Sequence, residues 1–133
     1  MRSARELAEE LIRLSLTEDI MQVDLYAEDA VHELPFSPTG SPIRFNREQM
    51  RTAMSAGGPP RVVERTLVSM SVGEFKDDAT VLAEYDVRGV LVATGEPVSI
   101  SGAMVVTARD GLIVQSRNYL NPDVLRRINT PTS

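Results

Sequence analysis

The chain has 133 residues, 42% hydrophobic and 25% charged, which fits one globular domain long enough to bury a core. Its 19 acidic against 14 basic residues give a formal charge of −5, a poor match to a nucleic-acid backbone. No basic cluster exceeds Arg126-Arg127, so a membrane-surface patch is disfavoured too, and with no cysteine there is neither a disulfide framework nor a thiol nucleophile. No apolar run reaches the length of a membrane span, and MRSARELAEELIRL lacks the apolar core of a secretory signal. The expectation is a cytoplasmic protein.

Ser3 to Glu6 reads as a capping box, followed by Ala4, Leu7, Ala8, Leu11, Ile12 and Leu14 at helical spacing. A second helix is expected from Thr17 to Tyr26, with Glu18 and Asp19 at the positive end of its dipole. Ala30 to Phe36 reads as a short strand closed by Pro35 and the loop SPTGSP. Asn46 opens a third helix with Gln49 three residues on, and the GGPP segment ends it. The second half carries long β-branched runs separated by KDD, ATGE and RDG, the signature of an antiparallel meander. NPDVLRRINTPTS is expected to be a short turn and a frayed tail over 124–133. Helices first and a sheet after give an α+β fold, with no linker or repeat across 1–133.

The helix pair, the YAEDAVHELPF stretch, the Pro/Gly loop, the NREQM helix and the ending DGLIVQSRNYLNP together resemble the SnoaL-like branch of the NTF2-like superfamily. The likeness runs from about Arg5 to Asp123, its strongest markers being Tyr26-Ala27-Glu28-Asp29-Ala30, Asp110-Gly111, Arg117-Asn118-Tyr119 and Asn121-Pro122. It implies a cone: a curved antiparallel sheet wrapped on the N-terminal helices around a ligand cavity, often in a homodimer. Members include ketosteroid isomerases, polyketide cyclases, limonene epoxide hydrolases and phenazine-pathway proteins, along with the non-catalytic nuclear transport factor. Fold therefore does not settle function. In the ketosteroid isomerases a strand aspartate is the base, with a tyrosine and a protonated aspartate as oxyanion donors. The matching positions here are Leu34, about Glu10 and about Met104, so that apparatus is missing. The Asp-Arg-Asp set of the epoxide hydrolases is not seen on SISGAMVV or SRNYL either.

Strand alternation sets the expected lining. If Leu34 faces inward, so do His32 and Phe36; Ser116, Asn118 and Leu120 share a face, as do Tyr85 and Val87, and Met104 lies on the inner side of its strand. His32, the lone histidine, is the expected base, Glu10 the acid or orienter, and Tyr85 and Asn118 the donors to a carbonyl. Leu34, Phe36, Val87, Met104, Ser116 and Leu120 form the expected substrate pocket, while the inward parity of Glu64 and Arg65 stays open. Glu33, Glu84, Asp86 and Arg88 read as surface or dimer interface. One histidine and no cysteine leave no metal site, and no cofactor is expected. The expected function is a cofactor-independent isomerase or cyclase acting on a small, largely apolar, oxygenated molecule. The rival from another class is a non-catalytic small-molecule-binding or dimerisation domain; an epoxide hydrolase-like activity is third.

Overall fold

The structure is a computed structural model, and it describes residues 1–56 and 60–129. Helix α1, Ala4–Ser15, begins at the expected box: Ser3 accepts from the Glu6 amide and Glu6 reaches back to the Ser3 amide. Its stripe buries Leu7, Ala8 and Ile12 almost completely against the inner face of the sheet. The sheet has six strands among the described residues: β1 Tyr26–Leu34, β2 Ile43–Asn46, β3 Val62–Glu74, β4 Thr80–Leu91, β5 Pro97–Arg109 and β6 Leu112–Leu120, in the order β2-β1-β6-β5-β4-β3. Helix α2, Arg47–Ser55, follows β2 directly, with Asn46 and Gln49 forming the second expected capping box. The GGPP segment expected to end this helix lies largely outside the described residues.

Four expectations need correction. The second helix is only a 3₁₀ helix, Ile20–Leu25, and β1 already begins at Tyr26. Glu18 sits at a φ of 53°, in the left-handed region that interrupts a helix, so Asp19 caps a new short turn by accepting from the Met21 amide. The strand expected over Ala30–Phe36 therefore starts earlier and ends at Leu34. A short strand, β2, occupies Ile43–Asn46, where the residue pattern points to loop and helix start. Finally, Pro122–Asn129 is a helix, α3, rather than the start of a frayed tail; residues 130–133 lie outside the described residues. Asn121 accepts from the Asp123 amide, proline stands at the first helical position, and Val124 and Ile128 pack on Val62, Leu91 and Val98.

The sheet is mixed. The β3–β4, β4–β5, β5–β6 and β1–β2 pairs are antiparallel, as the meander predicts, but β1 and β6 run parallel. That pair places His32 beside Ser116 and so joins the two halves of the chain. Irregularities in register bend the sheet at several points. One falls between Val63 and Thr66, where Glu64 and Arg65 together face Gly89 and Glu64 takes a φ of 56°. A Cβ on Gly89 would lie 2.6 Å from Val62 Cγ1 and 3.0 Å from the Val63 carbonyl oxygen, so this bulge requires glycine opposite it. Gly73, on the neighbouring strand, has nothing within 4 Å of the equivalent position.

Gly89→Ala should therefore destabilise the domain by about 1–3 kcal/mol in urea unfolding, whereas Gly73→Ala should stay within about 0.5 kcal/mol of the parent. Equal effects from the two would refute the packing account of the bulge.

Candidate functional site

The inner face of the sheet, α1, the 3₁₀ helix and α2 enclose a cavity of about 670 Å³. That lies within the range of roughly 300–1,000 Å³ usual for small-molecule sites. Its apolar lining includes Leu11, Ile12, Met50, Met54 and Met104. Polar groups gather at two places: Tyr26, His32, Tyr85 and Asn118 on the sheet floor, and Glu18, Arg61 and Arg65 near the start of β3.

The floor is built by strand pairing. His32 of β1 lies opposite Ser116 of β6, and Asn118, two residues on, lies opposite Met104 of β5 on the same face. Ser116 is fully buried, its hydroxyl 2.6 Å from His32 Nδ1 and 2.7 Å from the Tyr26 phenol oxygen. Phe45 of β2 stacks on the imidazole at 6.3 Å and Tyr26 meets it edge-on at 6.3 Å. This apolar packing removes water from the ring. Burial consequently pushes the His32 pKa down from 6.5 to about 4 and the Tyr26 phenol up to about 12, partly offset for Tyr26 by its bond to Ser116.

The three groups have two complete proton arrangements. In one, Tyr26 donates to Ser116, Ser116 donates to Nδ1, and the ring carries its proton on Nε2. In the other, Nδ1–H donates to Ser116, Ser116 donates to Tyr26, and the phenol proton and the Nε2 lone pair are both left for the cavity that these two residues line. Nδ1 is occupied in both, so Nε2 is the nitrogen a ligand meets.

Tyr85 and Asn118 form the second floor pair. The Tyr85 hydroxyl donates to Asn118 Oδ1 at 2.6 Å, and burial raises the Tyr85 pKa to about 12 despite that bond. The tyrosine was expected to donate to a ligand carbonyl; its proton is instead spent on Asn118, whose amide N–H groups are the donors that remain. Gly102 makes room for this ring, since a Cβ there would lie 2.6 Å from the Tyr85 oxygen and 2.9 Å from its Cζ.

His32, Tyr85, Asn118 and Met104 thus line the cavity as strand parity required. Glu10 does not: it lies on the outer side of α1, paired at 2.5 Å with Arg13, because one turn of helix carries it away from Leu7 and Leu11. Ser116 stands behind His32 rather than in the lining. Phe36 falls beyond the end of β1 and is exposed, its ring against Tyr119. Leu34, Val87 and Leu120 are not among the lining residues either. Tyr26 was missed because it was read as the end of a helix. Arg65 was left open because the bulge that turns it inward has no period-two signature. Its guanidinium donates to the Ser15 carbonyl at 3.0 Å and to the Glu18 carboxylate at 2.6 Å. Among the described residues no three His, Cys, Asp or Glu side chains converge as a metal site would need, and no helix is long and apolar enough to cross a membrane.

A six-stranded curved sheet closed by helices over a floor-lined cavity is the NTF2-like fold. Within it, the chain belongs to the SnoaL-like domain family, whose model matches residues 15–116. The uncharacterised protein YesE of Bacillus subtilis (strain 168) is 33% identical over 103 residues, which span 77% of this chain and 70% of YesE. A solved structure from Bacillus subtilis, provisionally named an isomerase, is 28% identical with a TM-score of 0.78, covering 98% of this chain and 96% of that one. One from Xanthomonas campestris pv. campestris, provisionally named a polyketide cyclase, has 22% identity and a TM-score of 0.70 over 90% of this chain and 91% of its own.

With the folded-state pKa of His32 below that of the unfolded chain, the unfolded state takes up the proton first as the pH falls. Stability should then drop between about pH 6.5 and 4, by up to about 3 kcal/mol, and be flat with respect to this group above that window. NMR titration of the single imidazole checks the cause directly. A ring that titrates near 6.5 would remove the desolvated site.

Proposed function

We propose that the domain is a cofactor-independent isomerase or cyclase that moves a proton within a small, largely apolar, oxygenated molecule. The observation that carries this reading is the Tyr26–Ser116–His32 chain, because its two proton arrangements differ by one concerted shift. His32 Nε2 takes a proton from an acidic carbon of the substrate while Nδ1–H passes to Ser116. Ser116 passes its own proton to Tyr26, and the Tyr26 phenol delivers one to a second substrate atom. One C–H bond breaks, one C–H or O–H bond forms, and the chain ends in the other fully bonded arrangement; exchange with solvent protons resets it. Burial opposes both imidazolium and phenolate, which favours this uncharged route over stepwise charge separation. The Asn118 amide, oriented by Tyr85, donates to the oxygen on which enolate charge grows.

The same shift serves a double-bond migration or the enolisation that begins an aldol closure. The names carried by the Bacillus and Xanthomonas neighbours are consistent with those two outcomes. In this reading the domain works as a homodimer through the outer sheet face, where Glu84 and Arg88 are exposed.

The test needs no known substrate. Enolisable β,γ-unsaturated and β-dicarbonyl ketones incubated with the protein in D₂O should exchange their acidic C–H, followed by NMR. His32→Ala should slow that exchange roughly 10²–10⁴-fold. Tyr26→Phe should slow it comparably, because Ser116 is then left to donate to Nδ1 and holds the ring as the Nε2–H tautomer, which cannot act as base. Ring ¹⁵N shifts read that tautomer independently. Exchange unaffected by either substitution would sink the shuttle, and no exchange of any ketone by the parent protein would leave a binding domain in its place.

A further inference from the structure

The chain is acidic, but the cavity lining is not: among the described lining residues Arg61 and Arg65 stand against the single carboxylate of Glu18. The two arginines come from the entrance to β3, at the edge of the sheet, while His32 comes from β1. Four strand spacings of about 4.8 Å separate those strands along the sheet, and curvature brings both side chains to one cavity. The cavity therefore has a charged end and a neutral, proton-moving end, with Met50, Met54 and Met104 among the apolar surface between.

Arg65 is held there at a cost. The bulge that points it inward puts Glu64 in the left-handed region and requires Gly89 opposite, where the Arg65 stem passes 3.6 Å from the position of a Cβ. The side chain is 18% exposed, and its Nε is buried with no hydrogen-bond partner. Two of the five guanidinium donors are spent, one on the Ser15 carbonyl and one on Glu18. Glu18 is a weak anchor for such a group: its carboxylate is 47% exposed and its backbone is itself strained, at a φ of 53°. A planar carboxylate in the cavity can pair with the same guanidinium in place of the Glu18 carboxylate.

Resting on the isomerase or cyclase reading, we infer that the substrate is a carboxylic acid, and that Arg65, with Arg61 as the second cation, binds its carboxylate in exchange for Glu18. The acid group fixes the molecule at the rim and its apolar body fills the cavity. The enolisable carbon is thereby presented to His32. Glu18 acts as a resident stand-in that holds the guanidinium in place and yields to the ligand.

The exchange gives Arg65 and Glu18 opposite effects, which a merely structural ion pair would not. The probes are straight-chain and aryl monocarboxylic acids of graded size, each matched with its methyl ester, titrated by calorimetry at neutral pH. The parent protein should bind at least one acid tenfold or more tightly than its ester. Arg65→Gln should erase that preference, and Glu18→Gln should raise acid affinity several-fold while leaving ester affinity alone. His32→Ala should leave the preference unchanged, so the carboxylate site can stand even where the proton shuttle fails. Equal binding of acid and ester, no binding of any acid, or weaker acid binding in Glu18→Gln would each overturn it. Where Arg65→Gln does not fold, the Glu18→Gln result decides, and an unchanged affinity there counts against the proposal.

Discussion

Ser116 has no exposed surface, and its one hydroxyl must serve both the Tyr26 phenol and His32 Nδ1. A buried hydroxyl with two partners can donate to only one of them, so the direction of its bond dictates which nitrogen of the ring carries the proton. The parallel pairing of β1 with β6 makes this possible, since it sets His32 directly beside Ser116. A slip of one residue in that pairing would turn Ser116 to the outer face and strip both aromatic groups of their partner. The register of a single strand pair thus controls the proton arrangement of the Tyr26–Ser116–His32 chain.

The other end of the cavity depends on a break in the same regularity. Period-two alternation would place Glu64 and Arg65 on opposite faces, with nothing to draw a long cation inward. Setting two residues against Gly89 resets the phase, and the side chain lost at Gly89 provides the space that the bulge fills. His32, Asn118, Met104 and Tyr85 are therefore placed by alternation, and Arg65 by its local failure. Each is held by packing on a core that α1 supplies through Leu7, Ala8 and Ile12.

Those two devices explain what could be read before the structure. Alternation fixes which face a strand residue takes, so His32, Tyr85, Met104 and Asn118 could be assigned to the cavity from sequence alone. It does not fix how far along the strand the cavity reaches, and Leu34, Val87 and Leu120, of the same parity, do not line it. Glu10 failed because a helix offers no such binary choice: a residue beside the apolar stripe can turn either way, and Arg13 draws it outward. Tyr26 failed because the polar 17–25 segment carries helix-start residues, while the left-handed Glu18 that stops the helix leaves no compositional trace. Helix α3 was legible in principle, for Asn121-Pro122-Asp123 is a helix start and Val124 and Ile128 share a face. The bulge at Glu64 was not, because neither of its residues is glycine and only pairing reveals it.

Division of the cavity into two ends also resolves a tension in the proposed chemistry. A floor that lowers the His32 pKa to about 4 and raises that of Tyr26 to about 12 can relay protons but is a poor place to store charge. A substrate that must be gripped firmly needs charge somewhere, and the same desolvation that favours a neutral relay would penalise an ion lodged beside it. Placing the guanidinium groups away from the floor, with Arg65 against Glu18, separates these demands. In the proposed reading, affinity comes from an ionic contact that leaves the reacting carbon in an uncharged setting. On that proposal, binding energy gained at the arginines would orient the molecule over Nε2 without requiring the floor to change its protonation balance.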